Sequence, residues 1–216
     1  MLKSKISTFD SMASKYDSWF EDKGKLIFTI EAQALKQDLS LLPKPWIEIG
    51  VGSGRFAQAL GIDNGLDPSI ELLKITKSQS INAFRGIGES TPFRDSIFGT
   101  AFLIVTLCFV DSPLAVLKEI NRILKDSGKI VLGLVLRESP WGKFYELKKE
   151  GGHHFYKHAA FYSYTEIETF LTQTGFATEK VISTLFQKPE DVKDIEFPQG
   201  GHSSNAGFTV IIAGKI

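Results

Sequence analysis

Between Trp46 and Phe56 the chain reads W-I-E-I-G-V-G-S-G-R-F, an apolar run followed by glycines at 50, 52 and 54. Glycine at a strand exit permits positive φ and removes the Cβ that would hold a ligand away from the backbone. Free amides at the start of a following helix then favour an anion, such as a phosphate or a carboxylate. A phosphate-binding nucleotide loop closes on Gly-Lys-Ser/Thr, whereas this one closes on Gly54-Arg55-Phe56, which disfavours a nucleoside triphosphatase. A dinucleotide fold wants G-x-G-x-x-G, and here the third glycine comes one place early. The second chemical group is Asp67, at the end of the next strand, where an ionised carboxylate can accept both hydroxyls of a ribose. Asp63 competes for that role, but Pro68-Ser69 begins a helix so clearly that the ribose contact falls on Asp67. The alternative for Asp67 is a plain helix N-cap.

Holding these groups in place takes alternating strands and helices. Trp46 to Ile49 reads as a buried strand, Ser53 to Leu60 as a short helix stopped by Gly61, and Ile62 to Leu66 as a second strand. Asp67-Pro68-Ser69 opens a helix over Ile70 to Lys77, with Ile81 to Phe84 a third short strand. Ala101 to Leu107 carries no charge on either side, as expected of a central parallel strand covered on both faces. In the helix predicted over Ser112 to Leu124, Leu114, Leu117, Ile120, Ile123 and Leu124 share a side. Lys129 to Leu136 follows as another buried strand. Farther on come a helix over Tyr164 to Thr174 and strands over Phe176 to Phe186 and Gly207 to Ala213, which favour a closing antiparallel pair. Ahead of the glycines, a helix is expected from Gly24 to Leu42, ended by Pro43 and Pro45. Phe9 to Phe20 reads as a short helix or an irregular cap with exposed rings. The pattern is one layered α/β domain over 1–216, with no internal repeat.

Composition narrows the partners. With 216 residues, 43% hydrophobic, and 25 Lys plus Arg against 25 Asp plus Glu, this is a folded chain with no general field to attract nucleic acid or anionic membrane. No run of about 18 apolar residues appears and the first residues lack a leader pattern, so a cytoplasmic location is expected, without membrane insertion. The single cysteine, Cys108, sits in an apolar stretch and reads as core, which argues against a disulfide framework and a four-ligand zinc site.

Taken in order, Phe9-Asp10, Tyr16-Asp17, Glu48 to Phe56, Leu66-Asp67-Pro68-Ser69, Gly88 to Phe93 and Leu117 to Gly128 carry a resemblance. The chain resembles class I S-adenosylmethionine-dependent methyltransferases, in particular the small-molecule group that includes ubiquinone and menaquinone biosynthesis enzymes. The resemblance implies a Rossmann-like sheet of seven strands, mostly parallel with the last antiparallel, and helices on both faces. It further implies S-adenosyl-L-methionine as cofactor, with S-adenosyl-L-homocysteine as product. Backbone at Glu48, Gly50 and Gly52 would face the methionine part, and a carbonyl near Thr106 or Leu107 its amino group. Gly88 and Glu89 would lie beside adenine, and Tyr16 would close over the site from an N-terminal lid spanning about 1–24. Where relatives often carry an acid for the adenine amino group, this chain has Ile87, which can offer only its backbone and a packing surface.

The acceptor side is less determined. Methyl transfer from a sulfonium needs alignment and exclusion of water, while an acid or base is optional. After the fourth strand the chain reads T-L-C-F-V-D, without the Asp/Asn-Pro-Pro-Tyr/Phe of many nucleic-acid and protein amine methyltransferases, so a small organic acceptor is favoured. Its pocket would draw on an insertion over about 138–163, with Phe109, Trp141, Tyr145, Phe155 and Tyr156 as an apolar wall, although the same rings can simply pack the insertion onto the sheet. His153, His154 and His158 are weak candidates for acid or base, and the i,i+4 spacing of the last two is not enough for a metal, so none is expected. Two rival functions use the same glycines and acid: a nicotinamide-dependent oxidoreductase and a non-catalytic cofactor-binding scaffold. Oligomeric state is not encoded in any feature of this kind.

Overall fold

The computed structural model describes residues 2–216, with side chains from residue 5 onward; the side chains of residues 2–4, part of the stretch read for a leader, lie outside it. Two helices come first, α1 (Leu2–Ser11) and α2 (Ala13–Trp19), then α3 (Lys25–Leu35) and a 3-10 turn at Leu39–Leu41. The alternating body follows as β1 (Trp46–Ile49), α4 (Arg55–Leu60), β2 (Asn64–Asp67), α5 (Ile70–Ser78), β3 (Asn82–Arg85), β4 (Phe98–Ile104), α6 (Pro113–Ile123) and β5 (Leu124–Leu134). Next come α7 (Pro140–Glu150), a 3-10 turn at Tyr156–His158, α8 (Tyr164–Gln173), β6 (Phe176–Thr184), β7 (Gln199–Gly200) and β8 (Phe208–Lys215).

The strands form a single sheet in the order β3-β2-β1-β4-β5-β8-β6-β7. β1 to β5 pair in parallel, while β8 lies antiparallel between β5 and β6. This is the Rossmann-like, mostly parallel sheet with antiparallel trailing strands that the sequence implies. The expected count of seven is exceeded by β7, two residues that pair antiparallel with the outer edge of β6. Nothing in the polar stretch around Gln199 marks so short a strand, because its only structural warrant is the neighbour it meets.

β4 is buried at all seven residues and divides its side chains between two cores. Phe102 and Ile104 join α3, α4 and Trp141 on one face, while Ala101 and Leu103 join α6 and α8 on the other. This period-2 division is what a charge-free strand in the middle of a sheet provides. α6 begins because the Ser112 hydroxyl accepts from the Ala115 amide and Pro113 fits the first turn. Its Val116, Leu117, Ile120 and Ile123 are all 0% exposed. Ser69, Ser139 and Ser163 cap α5, α7 and α8 in the same way, the last in a reciprocal box with Glu166.

Two expectations need correction. The helix read from Gly24 to Leu42 ends at Leu35, and Leu39–Leu41 forms only a 3-10 turn before the prolines. The rings between Phe9 and Phe20 are not an exposed cap: Phe20 is 8% exposed, with Trp19, Phe28 and Phe56 around it. Phe28 lies in α3 and Phe56 in α4, out of reach of any local pattern. Among the described residues no helix is long and apolar enough to cross a membrane.

Because Ile120 is fully buried between sheet and α6, Ile120→Ala should lower the unfolding free energy by about 2–5 kcal/mol, whereas exposed Lys118→Ala should stay within about 0.5 kcal/mol. Urea denaturation of both variants checks this; equal effects would contradict the placement of the α6 face.

Candidate active site

β1 leaves the sheet through three glycines with positive φ: +76° at Gly50, +55° at Gly52 and +85° at Gly54. The turn is fastened to the end of β2. The amides of Gly50 and Val51 both donate to the Leu66 carbonyl, at 2.7 and 3.0 Å. The Gly52 amide donates to Asp67 Oδ2 at 3.0 Å, and Ser69 N donates to Asp67 Oδ1 at 2.8 Å. From α5, the Thr76 hydroxyl donates to the Gly52 carbonyl at 2.7 Å. A Cβ on Gly50 would lie 2.3 Å from Thr106 Cγ2, so the end of β4 presses directly on the turn. Each Asp67 oxygen thus accepts one amide and retains capacity for another donor, as a sugar diol requires.

The electrostatics are unusual for a chain without net charge. Burial pushes the Glu48 carboxyl well above the ordinary range, the charge of Asp67 adds to this, and a hydrogen bond from the Ala57 backbone opposes it. Glu48 Oε2 has no hydrogen-bond partner among the described residues. Burial raises Asp67 to about 6, even though the Ser69 and Gly52 amides pull the other way. Two desolvated acids side by side, one with an orphaned oxygen, suit a ligand that brings its own donors or a positive charge.

Tyr16 covers this pair from α2. A Cβ on Gly52 would lie 3.5 Å from its ring, and burial followed by the charges of Asp67 and Glu48 pushes its phenol up. The two N-terminal helices are held by polar clasps. Asp10 Oδ1 accepts from the Ser69 hydroxyl at 2.5 Å and the Glu71 amide at 3.2 Å, and Lys5 pairs with Asp111 at 2.7 Å while donating to the Phe109 carbonyl. Arg55 forms a two-pronged pair with Asp17 and a further bond to Glu21. Asp10, Asp17 and Arg55 belong to the stretches that carry the family resemblance, yet their pairing joins residues far apart in sequence, which spacing does not reveal.

Beyond Tyr16 the rings continue. Phe9 packs on Tyr16, Phe109 and Phe155, and Phe155 also meets Tyr16. Tyr145 of α7 stacks on Tyr156 at 4.3 Å and on Phe161 at 6.1 Å. Burial and neighbouring charges push both tyrosine phenols up. Trp141 stands apart from this set: it is 2% exposed, its indole donates to the Gln187 carbonyl at 2.9 Å, and it packs against Gly207. It therefore fastens the insertion to the sheet and backs Tyr145 at 5.9 Å, in place of the pocket wall expected.

The other expected residues spread more widely. Thr106 donates to the Gly50 carbonyl at 3.3 Å, and Leu107 is 0% exposed in the core shared with α6. Gly88 is buried against Ile49 and Val116, beside partly exposed Ile87. The Glu89 carboxylate accepts from the Asp111 and Ser112 amides at 3.0 and 3.3 Å, which commits it to the start of α6. His154 is exposed; His158 Nε2 lies 3.3 Å from the Thr8 hydroxyl; His153 stacks near Tyr156 at 4.8 Å with Nδ1 buried and unpartnered among the described residues. Only a 3-10 turn spans Tyr156–His158, and among the described residues no group of three His, Cys, Asp or Glu is placed to hold a metal. A surface hollow of about 560 Å³ lies against Ile6, Ser7, Asp10, Ser11 and Arg85, away from the glycine turn, where Tyr16 sits over Gly52.

One buried group carried no signal in the sequence. Glu31 of α3 is 6% exposed, and burial pushes its carboxyl up to about 8. The helical pattern of α3 reads Leu26, Ile30 and Ala34 as the inward side, and Glu31 passes for solvent-facing.

Residues 47–132 match the family model described as a methyltransferase domain. A crystal structure of an S-adenosylmethionine-dependent methyltransferase from Thermotoga maritima, described as a possible histamine N-methyltransferase, superposes with a TM-score of 0.89 at 37% identity, covering 98% of this chain and 99% of that one. An uncharacterised protein of Methanocaldococcus jannaschii is 37% identical over 98% of this chain and 100% of its own length. An uncharacterised protein of Mycobacterium tuberculosis is 37% identical over 93% of this chain and 71% of its own.

Glu31 holds its proton more tightly folded than unfolded, where its value is 4.5, so its contribution to stability is complete below 4.5 and is lost as pH rises through about 8. His153 and His158, both lowered by burial from 6.5, act in the opposite direction only below that value. Thermal unfolding of the ligand-free protein should therefore move to lower temperature from about pH 6.5 to about pH 9, and Glu31→Gln should flatten that slope. A midpoint that rises across this window would contradict the burial of Glu31.

Proposed function

We propose how a chain that belongs to the class I S-adenosylmethionine-dependent methyltransferases uses this crevice: Glu48, Gly50, Gly52 and Asp67 hold the cofactor, and the rings beside Thr106 and Phe109 receive the acceptor. The protein transfers a methyl group from S-adenosylmethionine to a small organic acceptor, with S-adenosylhomocysteine as product. Membership in this family replaces both rival readings, the nicotinamide oxidoreductase and the non-catalytic scaffold.

The observation that carries the residue assignment is the fastening of the glycine turn to Asp67. The groups present fit the cofactor: a turn without Cβ atoms for close approach, a carboxylate with free acceptor capacity for a ribose, and the orphaned Glu48 Oε2. When bound, the cofactor supplies an electrophilic methyl on a sulfonium, and the acceptor's lone pair forms the new bond as the carbon–sulfur bond breaks toward sulfur.

The chain's own residues position and seclude. Backbone at Glu48, Gly50 and Gly52 orients the amino-acid end, with Thr106 and Leu107 supplying carbonyls nearby, while Ile87 and Gly88 flank the base. Glu89 would act there only through its backbone, given its bonds to α6. Residues 1–24 serve as a lid: Tyr16 withdraws from Gly52 to admit the ligand and returns to exclude water. The insertion over 138–163 completes one domain of 1–216, with Phe109, Tyr145, Phe155 and Tyr156 on the acceptor side. No side chain is required as a base, and His153, with its unpartnered buried nitrogen, is the histidine best suited to take a proton. The ring-lined space would suit a quinol of the ubiquinone or menaquinone type, and the Thermotoga relative brings an amine into view. Zero net charge favours either over a nucleic acid, and a cytoplasmic location suits both.

Calorimetric titration with S-adenosylhomocysteine tests the assignment. Asp67→Asn should weaken binding by about 10- to 100-fold. The native affinity should decline as pH falls through about 6, because the ionised carboxylate is the form that accepts both hydroxyls, with Glu48, Tyr16 and Asp10 the groups facing it. An Asn variant that binds as tightly as the native protein would remove Asp67 from the site.

A further inference from the structure

Glu31 is a carboxylic acid in a place where an apolar residue of similar volume would be more stable. It lies on α3, whose Ile30 and Ala34 belong to the core against which Val105, Val135 and Tyr145 pack. Its carboxyl lies within electrostatic reach of the Tyr145 and Tyr156 phenols. Among the described residues it has no ion pair and no hydrogen bond, although it is more than nine-tenths buried. A fold does not need such a group. A ligand carrying a positive nitrogen does, because that charge would complete the pair.

The rings connect this acid to the proposed site of transfer. Tyr16 meets Phe155 at 5.8 Å, Phe155 meets His153 at 6.2 Å, His153 meets Tyr156 at 4.8 Å, and Tyr156 stacks on Tyr145 at 4.3 Å. Cys108, which directly follows the Thr106-Leu107 segment, lies within electrostatic reach of Tyr16 at one end and of Tyr145 and Tyr156 at the other. The rings thus run as one series from Tyr16, over the glycine turn, to Tyr145 and Tyr156, the two phenols within electrostatic reach of Glu31. We propose that Glu31 anchors a cationic nitrogen of the methyl acceptor, which makes the acceptor an aromatic or heteroaromatic amine whose methylated atom is a second nucleophile at its opposite end. The anchoring nitrogen stays protonated and unmethylated; the lone pair of the accepting atom bonds to the methyl carbon as the carbon–sulfur bond breaks toward sulfur, and the proton of that atom passes to solvent. This rests on the cofactor reading above and narrows its acceptor.

The groups facing Glu31 are the Tyr145 and Tyr156 phenols, and the Cys108 thiol faces those phenols in turn; burial pushes all three up, Cys108 to about 12, so they are neutral near pH 7. Burial holds the Glu31 proton as well, so pairing with an ammonium must expel it. The test uses two probes of one shape, 2-phenylethylamine and 2-phenylethanol, titrated calorimetrically into the protein loaded with S-adenosylhomocysteine, in two buffers of different ionisation enthalpy. The native protein should prefer the amine by about 10-fold or more and release close to one proton per amine bound near pH 7. Glu31→Gln should weaken the amine by about 10- to 100-fold, abolish proton release and leave S-adenosylhomocysteine affinity unchanged, while Glu31→Asp should keep the preference for the amine. A preference that survives in Glu31→Gln, or native protein that binds the cofactor product yet favours the alcohol or takes neither probe, would overturn the anchor. Loss of S-adenosylhomocysteine binding in the native protein would instead overturn the cofactor reading and this proposal with it.

Discussion

The site depends on one joint, where the exit of β1 is bonded to the end of β2. Consecutive amides of Gly50 and Val51 converge on the Leu66 carbonyl, and the next glycine's amide reaches the carboxylate of Asp67. Gly50, Gly52 and Gly54 take the positive φ of the turn, and Thr106, just past β4, leaves no room for a Cβ on Gly50. One constraint therefore fixes the turn, orients the carboxylate and sets the distance from the sheet to the space above it. The rings of Tyr16, Phe9 and Phe155 pack outward from that joint.

Charge is distributed in a way that the balanced composition conceals. The arginines and lysines are spent on clasps and surfaces, as with Arg55 on α2 and Arg122 beside Glu119. Glu31, Glu48 and Asp67 are buried with no cation against them among the described residues. Acids so placed are costly to the folded chain on its own, and desolvated groups of this kind cluster at functional sites.

Much of the architecture was legible because its signals are local. Charge-free β4, the Ser112-Pro113 start of α6 and the Pro68-Ser69 start of α5 each declare their element within a few residues, and elements of known order restrict the topology to few choices. The glycine turn and Asp67 were legible for the same reason. Long-range pairing escaped. Asp10 meets Ser69 across 59 positions, Arg55 meets Asp17 across 38, and neither is a spacing that a periodicity can register. Trp141 reads like a pocket residue until Gln187 and Gly207 are seen to enclose it, and Glu31 reads like solvent because an acid on a helix usually faces water.

The position of β8 bears on how the molecule is assembled. β6 bonds to β8 and β7 and to no strand of the parallel block, so its route into the sheet runs through a ribbon that is later in the chain than itself. During synthesis, the half of the protein that carries the glycine turn can organise early, while β6 waits with an unpaired edge until β8 emerges and slots between it and β5. Sheet closure is thereby a late event on the ribosome, and a ribosome stalled inside β8 would leave that edge open to strands of other nascent chains.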